Sequence, residues 1–382
     1  MFYENFIEQN KEWIDGVFAK LDKKLSRTAV KSRDKIPYTV DKNGEHDNRN
    51  HDPHCWTNGF WGGLMWLMYE HTKNEDYKLT ALRSEEMQDR AFARVEGLHH
   101  DVGFMWHLLS GVNYRLTGDM AARNRNIFCA MSLASRFKLN GNYIRAWNDE
   151  NSDGIHSNNG WTIIDCMMNL PILYWASEEL GDDRFKQIAI AHADTAMTHH
   201  VRPDGSINHI VTHNLETGEM KDVIGGQGFS KDSCWTRGEA WALYGYVLSY
   251  IHTGEVRYLD TAKKVAHYSI AALAANDFVM PVDFRAPEHP YYDSTAAGIM
   301  ACGLIEIAKA VPEHEKKTYL TAALKLLKVL DEQFCDWSEE KDCITFNGTE
   351  AYYGGQNKPI IYGDYFFAEA ILKLRGSEFL PW

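Results

Sequence analysis

The sequence predicts an all-α protein, an (α/α)6 barrel built from six helical hairpins. Apolar residues recur at three- and four-residue steps along most of the 382-residue chain, and the strict alternation that marks strands is scarce. A pattern of apolar helix, short polar turn and amphipathic helix appears five times. Repeated helix pairs bury their apolar faces against one another, so this pattern favours a ring of pairs.

The turns between the paired helices have suitable chemistry. Gly118, Gly181 and Gly254 can each adopt the left-handed conformation that ends a helix. The acid after each of these glycines favours the N-terminus of the second helix. A sixth pair forms if the C-terminal helix over 362–374 packs beside the N-terminal helix. The other five hairpins are predicted over 64–87, 108–137, 170–197, 242–270 and 303–334.

An open helical solenoid is the alternative architecture, but its repeats would match more regularly in length. Here the successive turn acids are unevenly spaced, at Glu75, Asp119, Asp182, Glu255 and Glu313. The extra residues lie in loops before the first helix of each pair, which places them on one face of the ring. No shift in composition marks a boundary, so residues 1–382 are predicted to form one catalytic domain.

Composition and net charge limit the classes of molecule that the protein is expected to bind. The formal net charge is −13 and no basic run occurs, which argues against nucleic acid as a partner. The 12 Trp and 19 Tyr residues supply flat faces on which sugar rings stack, although a helical core rich in aromatics would have the same composition. An anionic sugar would have to be recognised through a locally placed cation.

The cellular context is predicted from what the sequence lacks. The N-terminus has no basic segment followed by an apolar stretch, and no window is long and apolar enough to span a membrane. The seven cysteines are odd in number and include no CxxC pair. We therefore expect reduced thiols in a cytoplasmic protein, as a monomer or homodimer.

Asp165 is the strongest candidate for a catalytic acid. It lies in the apolar stretch WTIIDCMMNLPILYWA, where burial would raise its pKa and keep a proton available near neutral pH. The alternative is an Asp that caps or bonds a neighbouring helix. Asp101, in HHDVGF, precedes a predicted helix, so an N-cap is an open alternative for it as well.

Arg237 and Trp241 are candidates for binding a sugar carboxylate. They lie four residues apart in WTRGEAW and therefore on one helix face. A guanidinium beside an indole suits a planar carboxylate on a sugar ring. The alternative is a structural ion pair of Arg237 with Glu239 or with an acid on a neighbouring helix.

Two metal-like segments are interpreted as loops. Asp149 begins a run that resembles a calcium loop, but the twelfth position is Gly160 instead of Glu. The segment HDNRNHDPHC matches no familiar zinc spacing, although it contains His46, His51, His54 and Cys55. No GxSxG, P-loop, GxGxxG or HExxH motif occurs.

Five motifs taken together resemble the unsaturated glucuronyl hydrolases of glycoside hydrolase family 88. They are CWTNGFWGG, HHDVGF, WTIIDCMMN, INH and GGQGFSKDSCWTRGEAWALYG, and the match runs in order from about Trp56 to Tyr365. The resemblance implies an (α/α)6 barrel, in agreement with the hairpin pattern. It also implies a substrate that is an oligosaccharide ending in the unsaturated uronic acid left by a polysaccharide lyase.

The resemblance implies roles for individual residues. Asp165 would protonate C4 of the C4=C5 double bond and accept a proton from the water that adds at C5, with Asp101 as its partner carboxylate. No metal or organic cofactor is implied, and chelation should leave activity unchanged. Family members that favour sulfated fragments carry Ser and Lys where this chain reads AYYGGQNK, so Lys358 remains without the serines. The implied sugar contacts are Trp56, His100, Trp147, His209, Gln227, Arg237 and Trp241.

Three other functions remain as alternatives at this point. The nearest is an unsaturated rhamnogalacturonyl hydrolase, with the same fold and reaction on pectin fragments, which the GGQG loop and the WTRGEAW motif disfavour. A sugar 2-epimerase would need a pair of catalytic histidines, and His209 has no evident second partner. A non-catalytic sugar-binding protein would have no use for a buried Asp165.

Overall fold

The computed structural model describes residues 2–149 and 157–382. Within these ranges the chain forms twelve α-helices and five short strands. A π-helical segment, Gly103–Gly111, leads directly into the short helix α4. The helices are α1 Phe2–Lys31, α2 Gly59–Thr72, α3 Glu75–Gln88, α4 Val112–Thr117, α5 Met120–Ser135, α6 Pro171–Leu180, α7 Asp183–His199, α8 Thr236–Thr253, α9 Val256–Ala274, α10 Ser294–Ala310, α11 Glu313–Val329 and α12 Ile361–Leu374.

The helices pack in six pairs, which confirms the predicted (α/α)6 barrel. Helix α2 packs on α3, α4 and its π-helical lead-in on α5, α6 on α7, α8 on α9, and α10 on α11. The sixth pair joins the two ends of the chain, because α12 packs on α1. The first helices of the pairs contact one another in succession, and α12 returns to α2 to close the inner ring.

The predicted turn chemistry is present at three hairpins. Gly118, Gly181 and Gly254 have φ values of 77°, 62° and 73°, in the left-handed region that favours glycine. The carboxylates of Asp119 and Asp182 accept the backbone N–H two residues later and cap the following helices. The three glycines thus end the first helix of their hairpins, and the two aspartates cap the start of the second helix.

Aromatic side chains fill the centre of the barrel. Phe60, Phe104 and Trp241 are buried side by side, with Phe104 and Trp241 5.1 Å apart between ring centroids. Below them Phe366 stacks on Trp382 at 5.7 Å. Rings of this size each bury a large apolar area, so they form a solid floor for the barrel.

A small antiparallel sheet that the sequence did not predict lies at the mouth of the barrel. Strands β3 (Trp161–Ile163), β4 (Ile210–His213) and β5 (Met220–Ile224) pair in the order β3-β4-β5. A second sheet pairs β1 (Phe137–Lys138) with β2 (Tyr143–Ile144). No helix in the described part of the chain is long and apolar enough to cross a membrane.

Candidate active site

The ends of the three-stranded sheet bring three predicted site residues together. In its register Ile163 lies beside Ile210, which lies beside Ile224. Because neighbouring strands are antiparallel, the chain after β3, the chain before β4 and the chain after β5 meet at the same end of the sheet. Asp165 is the second residue after β3, His209 directly precedes β4, and Gln227 is the third residue after β5. Asp165, His209 and Gln227 are therefore neighbours, although they belong to three separate sequence motifs.

Asp165 has the environment of a catalytic acid. It lies in the short helical turn Ile164–Asn169, and its side chain is 15% exposed. Its Oδ1 atom accepts no hydrogen bond from the protein. Burial and the nearby charge of Asp101 raise the pKa of Asp165 to about 7, although the positive charge of Arg237 opposes this shift. A proton is thus retained near neutral pH, as predicted from the apolar sequence around it.

Four other acids in the described structure also have a raised pKa because they are buried. Each is at most 3% exposed and lies against donors within the protein. Their geometry is that of structural acids, whereas the side chain of Asp165 is 15% exposed and its Oδ1 atom has no hydrogen-bond partner among the described residues. The four are Glu85, Glu239, Asp364 and Glu369.

Asp101 is held as an ionised partner carboxylate, and its side chain does not cap a helix. Its Oδ2 atom lies 3.2 Å from His99 Nδ1 and 3.3 Å from His100 Nε2. Its Oδ1 atom accepts a hydrogen bond of 3.1 Å from the Asn169 amide. Burial acts to raise the pKa of Asp101, but His100 and His99 outweigh it and hold the pKa well below its usual range.

The glycine-rich loop after β5 fixes the ring of His209. The backbone N–H of Gln227 lies 3.0 Å from His209 Nδ1 and the carbonyl of Gly225 lies 3.4 Å from it. The shorter contact, in which Nδ1 accepts, favours the neutral ring with its proton on Nε2. That Nε2 atom lies 3.8 Å from Asp165 Oδ1. Gly226, with φ 58°, packs so closely on the ring that a β-carbon would collide with Nδ1. Burial lowers the pKa of His209 to about 3, which keeps the ring neutral.

Arg237 is more deeply buried than a simple ligand-binding residue would be, with 1% of its side chain exposed. Its guanidinium pairs with the buried Asp293 at 2.6 Å, and Glu239 is not its partner. It also donates to the backbone carbonyls of Thr349 and Glu350, at 2.5 and 2.6 Å. Arg237 therefore has a structural role, and its contact with a sugar carboxylate stays a prediction.

The predicted aromatic contacts occupy different depths. Trp56 is half-buried at the mouth and lies against Tyr362, with ring centroids 5.0 Å apart. Trp241 is 0% exposed and lies edge-on beneath Trp56 at 6.4 Å. Trp147 packs on the outer side of the three-stranded sheet, 6.2 Å from Trp161. Trp56 is the best placed of the three to meet a sugar, and direct contacts of the others stay predictions.

The two metal-like segments lie partly within the described residues. His46 is buried against Ser32, and His54 lies against the carbonyl of Arg94. No group of three or more His, Cys, Asp or Glu within residues 2–149 and 157–382 could hold a metal ion. Residues 150–156 of the calcium-like run are outside the described ranges, while Asp149 pairs with Arg145.

Three residues that the sequence interpretation gave no role contact the site. Asn169 and His99 bond to Asp101, and Asp293 pairs with Arg237. Asn169 and His99 stand inside the quoted motifs DCMMN and HHDVGF, so their motif positions were the available signal. Asp293 follows a tyrosine pair in YYDSTAAG and caps α10 through Thr295, and nothing in the sequence linked it to Arg237.

A carboxyl with a raised pKa beside an ionised one, in an (α/α)6 barrel with an aromatic floor, is typical of a carbohydrate-active hydrolase. The chain belongs to Glycosyl Hydrolase Family 88, whose family model matches residues 28–360. An unsaturated glucuronyl hydrolase of Bacillus sp. (strain GL1) is 34% identical over 360 residues, which cover 91% of this chain and 93% of the relative. An unsaturated chondroitin disaccharide hydrolase of Streptococcus pneumoniae is 32% identical over 340 residues, which cover 86% of this chain and 83% of the relative.

Solved structures agree with this assignment. The unsaturated glucuronyl hydrolase of Bacillus sp. GL1, responsible for glycosaminoglycan degradation, superposes with a TM-score of 0.87 at 32% identity, over 94% of this chain and 96% of that one. A UGL variant with dGlcA-Glc-Rha-Glc superposes with a TM-score of 0.88 at 32% identity and the same coverage. These similarities confirm the predicted glucuronyl hydrolase family and fold.

Proposed function

We propose that the protein removes the unsaturated glucuronic acid from the non-reducing end of lyase-generated glycosaminoglycan-type oligosaccharides. The observation that carries the proposal is Asp165, which combines an accessible carboxyl with a pKa raised to about 7. A group with this pKa can give a proton and take one back at neutral pH. The names of the relatives refer to unsaturated glucuronyl and chondroitin disaccharide substrates, and this supports the proposed class of substrate.

In the proposed mechanism Asp165 acts first as an acid and then as a base. Its proton is transferred to C4 of the C4=C5 double bond, while water adds its oxygen to C5 and returns a proton to Asp165. The hydrated ring is a hemiketal. It opens to a ketone at C5, and the hemiacetal left at C1 expels the remaining sugar as an alcohol. One water is consumed, and Asp165 ends in its starting state.

The neighbours of Asp165 have complementary roles in this proposal. The neutral His209 would donate from Nε2 to the carboxylate of Asp165 or to the attacking water, because its Nδ1 is occupied. Asp101 would keep its negative charge close to Asp165 and so favour the protonated form. His100 fixes Asp101, Gln227 fixes His209, and Trp56 would stack on the sugar at the mouth.

The pH dependence of the reaction should follow Asp165. Since the protonated form starts the reaction, kcat/KM should be level below pH about 7 and fall about tenfold per unit above it. Replacing Asp101 with Asn removes the repulsion that helps to retain the proton, so the falling limb should move to lower pH. A kcat/KM profile that rises through neutral pH would assign Asp165 a different starting state.

The charge balance at Lys358, which the family resemblance suggests for the second sugar, favours an unsulfated substrate. Lys358 Nζ lies 2.9 Å from Glu350 Oε1, and the Tyr38 hydroxyl bonds to the same carboxylate, so a sulfate would have to displace Glu350. We infer that this chain prefers an unsulfated second sugar.

Glu350→Gln tests this preference directly. Freed of its counter-charge, Lys358 should raise the ratio of kcat/KM for a sulfated over an unsulfated disaccharide by about twofold to fivefold, the range of a partly exposed ion pair. Adding Lys358→Gln should cancel the gain. A wild-type protein that already prefers the sulfated disaccharide would contradict the inference.

A further inference from the structure

Asn169 is a buried amide that joins the segments of both candidate carboxylates. Its Oδ1 atom accepts the backbone N–H of Phe104 at 2.9 Å. Its Nδ2 atom donates to Asp101 Oδ1 at 3.1 Å and to the backbone carbonyl of Asp165 at 3.3 Å. The side chain is 0% exposed, so these protein groups make up its polar surroundings.

The orientation of this amide follows from chemistry. A backbone N–H can only donate, so the atom that faces Phe104 must be the oxygen of Asn169. The nitrogen then faces Asp101 and the carbonyl of Asp165, and its two protons match two acceptors. Every hydrogen-bonding direction except one lone pair of the oxygen is used.

Two sequence motifs interlock at this point. Asn169 closes the turn Ile164–Asn169 that presents Asp165, whereas Gly103 begins the π-helical segment that follows Asp101. A β-carbon on Gly103 would lie 2.6 Å from Asn169 Oδ1. Such a contact is too short for carbon and oxygen, so the glycine allows the amide to reach Phe104. The HHDVGF and DCMMN motifs therefore form one packed unit.

We propose that Asn169 is a positioning residue for the hydrolysis: it fixes the Asp101 carboxylate in one orientation relative to Asp165. The proposal deepens the proposed function and rests on it for the catalytic consequence. An Asp101 carboxylate that loses the Asn169 donor can turn away from Asp165, and the repulsion that helps Asp165 retain its proton weakens. The Asn169 amide thus acts on catalysis through the two acids, without contacting the substrate.

Several charged and titratable groups around Asp165 and Asp101 influence the pKa of Asp165. Asp165 is faced by Asp101, Arg237, His209 and the thiol of Cys166. Asp101 is faced by His99, His100, Arg136 and the thiol of Cys166. Replacing Asn169 with Ser leaves all of these charges in place and adds none. A change in the titration of Asp165 in that variant then reports a changed position of Asp101 relative to Asp165.

The direct test is titration of the Asp165 carboxyl by 13C NMR, with Asp165→Asn used to assign its signal. In Asn169→Ser the midpoint for Asp165 should move to lower pH than in the wild type, and kcat/KM should fall by about 10- to 100-fold, as expected for a misplaced catalytic group. Asn113→Ser is the matched control, because the Asn113 amide also donates to a buried carboxylate, Glu85, at 2.7 Å. The control should leave the Asp165 midpoint unchanged.

Asn169→Asp provides a second variant of nearly unchanged volume. The introduced carboxylate would face Asp101 Oδ1 and the Asp165 carbonyl, which are both acceptors, until acid protonates it and restores a donor. Its activity relative to wild type should therefore recover on acidification. A wild-type midpoint for Asp165 in Asn169→Ser, or an equal shift in Asn113→Ser, would overturn the proposal. Wild-type protein inactive on unsaturated disaccharides would instead overturn the proposed function, and the NMR titration would still decide the role of Asn169.

Discussion

Replacing Asp165 with Asn should lower kcat on an unsaturated disaccharide by at least about 10²- to 10⁴-fold, the contribution of general acid–base catalysis. A carboxamide has the shape of the carboxyl but cannot deliver a proton to C4 or accept one from water. Each tenfold loss corresponds to about 1.4 kcal/mol of barrier. Retention of a tenth of the wild-type kcat would remove Asp165 from the central role.

The same variant should be more stable than the wild type in alkaline solution. Asp165 has an ordinary pKa of 3.8, which the folded protein raises to about 7, so folding favours its protonated form. The wild type therefore loses free energy of unfolding as the pH rises from about 4 to about 7. Asn does not titrate, so Asp165→Asn should melt at a higher temperature at about pH 8, and the difference should vanish at about pH 3.

Asp364→Asn is the matched control for both measurements. Burial raises the pKa of Asp364 to about 6, but its carboxylate accepts the backbone N–H groups of Ile344 and Thr345 at 3.0 and 2.7 Å. An amide nitrogen turned toward these donors would lose a bond, so this variant should lose stability. Its kcat per folded molecule should stay close to that of the wild type.

Replacing Arg237 with Ala should have two large effects. It leaves Asp293 buried and unpaired, which should lower the free energy of unfolding by about 3–5 kcal/mol. If Arg237 also binds the uronic carboxylate, loss of a charge-assisted bond worth about 1.5–3 kcal/mol weakens kcat/KM by about 10- to 150-fold. Thermal melting reports the first effect, and kinetics on the folded fraction report the second.

Substrate chemistry separates the two roles of Arg237. Three of its five N–H groups bond to Asp293, Thr349 and Glu350, and two remain for a ligand. Arg237→Lys keeps the charge but loses the planar fork, so it should recover only part of kcat/KM. The loss caused by Arg237→Ala should shrink sharply on a substrate whose uronic carboxylate is esterified. Equal losses on free acid and ester would mean that Arg237 is structural only.

Local sequence signals were sufficient for the helical framework. The helix ends at Gly118, Gly181 and Gly254 could be predicted because glycine readily adopts the left-handed conformation. The caps at Asp119 and Asp182 could be predicted because aspartate is a favoured N-cap residue. The pairing of α1 with α12 could be inferred only because twelve helices close a ring. The environment of Asp165 was likewise readable, since its apolar neighbours are adjacent in the sequence.

Contacts between distant segments could not be read from one sequence. The sheet pairs Trp161 with Thr212, and neither short segment alternates for long enough to predict a strand. The partner of Arg237 is 56 residues away, at Asp293. For Asn169, the motif was recognised but the bonds to Asp101 and Phe104, 68 and 65 residues away, were not. Each of these depends on packing that local pattern does not encode.

The proposed mechanism depends most on one step, in which Asp165 catalyses the addition of water to the C4=C5 double bond. It is tested most directly by following the ultraviolet absorbance of the conjugated alkene together with release of the second sugar, on an unsaturated disaccharide and on its saturated counterpart. We expect the absorbance to fall in step with sugar release on the unsaturated compound. Asp165→Asn should stop both signals, and the saturated compound should remain intact. Hydrolysis of the saturated disaccharide at a comparable rate would contradict the claim.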